Sequence, residues 1–121
     1  MRIVRLSERS YFSPPGSKAQ VSILSGKNPE HGSFEKHTVA IVKLPPDGRL
    51  DRHFHKHREE SYLVLSGSGM AIVDDKEIKI GPGDLVTVSP GEKHLFQADR
   101  SQHLEYAVVT APAWTLEDVH T

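Results

Sequence analysis

The sequence predicts an all-β fold, an antiparallel barrel or sandwich formed from a single domain. Three observations predict it: short runs rich in Val, Ile, Leu and Tyr through the middle of the chain, gaps of Gly, Pro, Asp and Ser at regular short intervals, and an almost complete lack of helix signals. A chain of 121 residues is long enough to bury one core and too short for two.

In chain order, the first 35 residues are the least regular and are read as an N-terminal arm. SPPG (13–16) is a turn, VSIL (21–24) a possible strand and GKNPEHGS (26–33) a loop. The barrel is expected over 39–109, with VAIVKL, SYLVL, MAIV, IKI, LVTV and HLFQ as strands and a last strand over 104–109. PPDG, SGSG, DDKE, GPGD and SPGE separate the runs. Asp74 and Asp75 suit a tight hairpin because Asp tolerates positive φ, and GPGD reads as a sharp corner. Gly81, Gly83 and Gly91 are expected to adopt conformations that a Cβ resists. SGSG is too short for a phosphate-cradling loop and no helix follows it, so it is read as a turn. The tail, 110–121, starts with a proline-containing stretch and is expected to form one helical turn from Thr115.

Composition removes several function classes. The formal charge is -1 and the basic residues are interleaved with acids, which argues against a nucleic-acid partner. With no cysteine, any metal must be held by nitrogen and oxygen. No segment approaches the length of a membrane span, so no membrane partner is expected and the protein is expected to be cytoplasmic.

The chemistry concentrates in HFHKHREE, residues 53–60. In a strand His53 and His55 project to one side, with Phe54 and Lys56 opposite, and two imidazoles at that spacing can share an ion. Further ligands are needed, and His57, Glu59 and Glu60 are the nearby candidates. In the strand that follows, Glu60, Tyr62 and Val64 share a face; farther on, His94 and Phe96 share another. These two places converge only if the sheet curls, as in a small barrel. Taken alone, HKHREE is equally compatible with a solvated charged turn. His31, His37, His103 and His120 are read as surface or packing residues.

The region 44–96, and more loosely through 109, resembles the cupin superfamily of small jelly-roll barrels. The first cupin motif runs Gly, five residues, His-x-His, three or four residues, Glu, six residues, Gly. Here Gly48 precedes His53-Phe54-His55, Glu60 follows and Gly67 closes the spacing, with only the leading Gly displaced by one residue. The second motif, Gly, five residues, Pro-x-Gly, two residues, His, three residues, Asn, matches Gly83, Gly91 and His94; Ser89 replaces the proline and Ala98 the asparagine.

The resemblance implies a jelly-roll barrel in which His53, His55, Glu60 and His94 ligate one divalent transition metal, such as Mn, Fe, Ni or Zn. Glu-to-Gly spacing and strand parity both favour Glu60 over Glu59, and His57 falls on the rim. An aromatic at the position of Tyr62 is more often core than catalyst, yet a hydroxyl beside an open metal site can donate a proton, so Tyr62 is a catalytic candidate. The implied function is a metal-dependent enzyme acting on a polar small molecule by oxygenase, isomerase or lyase chemistry. The alternative is a noncatalytic small-molecule-binding or sensing module. A metal-free sugar epimerase is disfavoured by the complete ligand set. The resemblance also implies a homodimer, formed by pairing of the N-terminal arm.

Overall fold

In the strand EESYLVLSG, buried and exposed positions alternate, so Glu60, Tyr62 and Val64 turn inward while Glu59, Leu63 and Leu65 face solvent. The same alternation in HLFQA buries His94, Phe96 and Ala98. A computed structural model describes residues 1–27 and 34–121. The loop expected at 26–33 lies mostly outside the described residues, and so does His31.

The strands are β1 (Gln20–Ser25), β2 (Thr38–Leu44), β3 (Glu59–Gly67), β4 (Gly69–Val73), β5 (Lys76–Ile80), β6 (Leu85–Val88), β7 (His94–Ala98) and β8 (Leu104–Ala111). They form a five-stranded sheet in the order β1-β2-β8-β3-β6 and a three-stranded sheet in the order β5-β4-β7. Every ladder is antiparallel. From β3 onward the chain changes sheet at each connection except the β4–β5 hairpin, which is jelly-roll behaviour. The core between the sheets includes Val42, Leu44, Val64, Phe96, Leu104 and Tyr106.

Turn chemistry sets the corners. Asp74 has φ +51° at the β4–β5 hairpin. At GPGD the left-handed residue is Gly83, with φ +89°, and Asp84 accepts a hydrogen bond from the Gly81 amide at 2.8 Å. The expectation for Gly81 is not met: it has no positive φ, and a Cβ there would enter open space. Gly67, where the chain leaves one sheet for the other, is the demanding position. It has φ +79°, and a Cβ would lie 1.8 Å from the His103 carbonyl oxygen. Gly67→Ala is therefore expected to destabilise the fold by more than ~2 kcal/mol, through backbone strain plus displacement of the β7–β8 loop. A denaturant titration checks this.

The HFH segment is not a regular strand, as the sequence reading assumed. It is extended backbone held by two isolated bridges, His53 with His94 and Phe54 with His120. Upstream, Arg49 bridges Gln97, so residues 49–53 run antiparallel beside β7. The tail forms the expected single turn as a 3₁₀ helix, Leu116–Asp118. In the arm, Phe12 bridges Val21 of the same chain. Among the described residues, no helix is long and apolar enough to cross a membrane.

Candidate metal centre

Three parts of the chain meet at one end of the barrel. The bridge between His53 and His94 is reciprocal, each amide donating to the other's carbonyl at 3.1 and 2.8 Å. Glu60 enters from the start of β3, opposite Val88 and Thr110. As a result the ligand atoms of His53, His55 and His94 all lie within 4.8 Å of one another, a cluster that could hold a metal ion. Glu60 Oε1 lies 3.1 Å from Nε2 of both His55 and His94.

What lies behind each ring decides what its inner nitrogen can do. His53 Nδ1 is 2.8 Å from the Asp51 carbonyl oxygen and His94 Nδ1 is 3.0 Å from that of Glu92. A carbonyl accepts only, so these nitrogens carry the protons and Nε2 of each ring keeps a lone pair. His55 Nδ1 has two neighbours, the Asp118 carbonyl oxygen at 2.6 Å and Arg58 Nη2 at 2.5 Å. The Asp118 partner likewise leaves Nε2 bare. Such outer hydrogen bonds orient and polarise metal-ligating histidines.

The inner ends are therefore acceptors facing acceptors. Tyr62 Oη donates to Glu60 Oε1 at 2.8 Å and sits 3.1 Å from His94 Nε2, but its single proton cannot serve both. A carboxylate oxygen and imidazole lone pairs converging in a buried site repel one another until a cation joins them. The residues thus fit a divalent ion bound through nitrogen and oxygen.

Protonation states agree. Burial pushes His53 down to about 4, against the Asp51 carbonyl, so the ring is neutral at pH 7. Burial would raise Glu60, but when His55 and His94 carry protons at Nε2 in place of an ion, hydrogen bonds and charge from the two rings outweigh it and hold the carboxyl well below the usual range. Tyr62 is raised by burial first and by Glu60 second, and stays a phenol. Below it, Phe96 and Tyr106 pack at ring-centre distances of 4.3 and 5.6 Å from Tyr62 and fill the barrel behind the centre. His53, only partly buried, is the most exposed of the four side chains.

The family model for the Cupin domain matches residues 40–110. The chain is a cupin. It is 28% identical over 94 residues to the oxalate-binding protein of Thermotoga maritima, covering 78% of each chain. A predicted oxalate decarboxylase from the same organism superposes with a TM-score of 0.77 at 27% identity, covering 92% of this cupin and 99% of that chain. The polyketide cyclase RemF from Streptomyces resistomycificus shares the fold, with a TM-score of 0.77 at 23% identity over 98% of this chain and 89% of its own.

Of the residues singled out in the sequence, His53, His55, Glu60, His94 and Tyr62 come together, whereas His57 and Glu59 are exposed in this cupin. His37 stacks on Phe34 and His103 bonds Ser66, away from the centre. Sequence reasoning missed Arg58 and Asp118, both buried. Arg58 has the parity of Glu60 and Tyr62, a signal that its place in a charged run concealed. Asp118, in the tail, offered none.

Proposed function

We propose that this cupin binds one divalent transition metal through His53, His55, His94 and Glu60 and uses it to act on a polar small molecule. The observation that carries the reading is the meeting of bare imidazole nitrogens with the Glu60 carboxylate, each histidine having a backbone carbonyl at its other nitrogen. A bound ion of this kind polarises carbonyl or carboxylate oxygens, acidifies water or activates dioxygen. The chain's own residues supply the rest. Glu60 and the three rings would hold the ion, and Phe96 and Tyr106 fill the barrel behind them, which leaves the His53 side for a ligand. Tyr62 Oη lies 2.8 Å from Glu60 Oε1 and donates its phenolic proton there, a proton that it can pass to a substrate oxygen instead.

Metal analysis of the purified protein, followed by screens for oxygen consumption and for isomerase or lyase turnover, tests this reading. Turnover that disappears with the metal supports it. Tyr62→Phe is expected to keep the metal and the fold while lowering turnover by about 10²-fold or more, as loss of a general acid does. Equal turnover in that variant would leave Tyr62 a packing residue.

A second reading is favoured by one comparison, the likeness to a protein described as oxalate-binding. A small dicarboxylate carries two oxygens able to meet one ion, and a barrel filled by Phe96 and Tyr106 favours a ligand that small. On this reading the protein is a noncatalytic binder, and a stably loaded metal without turnover across broad panels would select it.

A further inference from the structure

The last residues of the chain return to the metal-binding loop and touch nearly every part of it. Phe54 and His120 exchange two backbone hydrogen bonds, at 2.9 and 3.0 Å, and their rings lie 5.3 Å apart. The Asp118 carbonyl oxygen lies 2.6 Å from His55 Nδ1. Its carboxylate receives the Lys56 amide on Oδ1 at 2.9 Å and the His57 amide on Oδ2 at 3.2 Å. On the other side Arg58, 1% exposed, reaches His55 Nδ1 and the Asp118 carbonyl, with Nε 3.7 Å from Asp118 Oδ2. The Trp114 ring covers its guanidinium at 5.6 Å, and the Trp114 amide is anchored on Thr38 Oγ1 at 2.9 Å.

We infer that the segment 113–120 is a strap that sets the geometry of the metal loop, with Asp118 as its positioning residue. The inference rests on the metal reading above. Residues 55–58 lie between strands and make no ladder of their own, so the loop's backbone donors depend on a partner from elsewhere. Asp118 meets that need with one side chain and one carbonyl. The carboxylate fixes the turn at Lys56 and His57. The carbonyl selects the proton position on His55: with the proton on Nδ1, Nε2 faces Glu60 with a lone pair, whereas acceptance from Arg58 would put the proton on Nε2, where an ion must bind. Burial lowers Arg58, and the carboxylates of Glu60 first and Asp118 second work against it. Loss of the strap therefore frees the loop and removes the carbonyl that prepares His55. By reciprocity, an ion at the centre should hold the tail more tightly in place.

The test compares wild type, Asp118→Ala and Asp118→Asn in the full chain. Manganese(II) affinity is read by EPR of the free ion, and hydrogen exchange is followed at the Lys56 and His57 amides in metal-free protein. Asp118→Ala keeps the carbonyl that faces His55 and removes the carboxylate that holds the Lys56 and His57 amides, and is expected to weaken manganese binding about 10-fold, the low end of the cost of losing an outer partner of a metal ligand. Asp118→Asn, which keeps one oxygen acceptor, should fall between it and wild type. Both amides should be protected in wild type and exchange faster in Asp118→Ala. Wild-type affinity or wild-type exchange in Asp118→Ala would overturn the strap. Failure of wild type itself to bind manganese would count against the metal reading; the strap would then stand or fall on the two amides.

Discussion

Replacement of His94 by alanine is expected to lower metal affinity by about a hundredfold or more, so that the purified variant carries almost none of the wild-type complement. His94 is 1% exposed and its inner nitrogen meets Glu60 at 3.1 Å, so no solvent-borne ligand can take its place without opening the barrel end. The substitution also removes the ring that packs against Tyr62 at 5.9 Å and leaves a small void, costing about 2 kcal/mol. The backbone bridge to His53 does not need the side chain and should survive. Metal content by elemental analysis, alongside a melting curve, separates the two effects. His57→Ala and His103→Ala, both on exposed residues, should retain the metal. Unchanged stoichiometry in His94→Ala would remove His94 from the centre.

Acidification should produce the second large effect. The metal-free protein holds His53 at about 4, below its ordinary 6.5. Between those values the unfolded chain takes up a proton that the folded chain refuses, so stability is full above about pH 6.5 and falls as the pH drops through 4. The displacement is worth about 3 kcal/mol at most, since His53 is only partly buried. Glu60, held low, adds stability present above its ordinary 4.5 and lost as pH falls toward its folded value. The two act in the same direction. In the loaded protein, protons compete with the ion for the imidazoles, and release is expected through about pH 5 to 6. Dialysis at stepped pH followed by metal analysis checks the release, and denaturant titrations of the metal-free chain check the stability. Full retention of metal well below pH 5 would contradict ligation by histidine.

The strand pattern was legible because hydrophobic runs and turn residues are local signals. LVTV is β6, HLFQ is β7 short of its last residue, and Asp74 marked its hairpin through a conformation that few residues tolerate. The inner faces of β3 and β7 followed from period-two alternation, which put Glu60 rather than Glu59 inside. The extended HFH segment kept the right parity although it forms bridges and not a strand. What the sequence concealed is carried by the main chain. The carbonyls of Asp51, Glu92 and Asp118 that orient the three rings leave no mark on residue type, because any amino acid has one. Arg58 was hidden for another reason: in HKHREE a buried arginine looks like its solvated neighbours, and only the return of Asp118 from 60 residues away distinguishes it. Gly81 shows the opposite error, a glycine in a corner that Gly83 and Asp84 already make.

An anomalous difference map from a crystal of the protein loaded with manganese or zinc tests the central claim most directly. One peak per chain is predicted, about 2.0–2.2 Å from Nε2 of His53, His55 and His94 and from a carboxylate oxygen of Glu60. A peak elsewhere, or no peak between these four side chains at saturating metal, would contradict it.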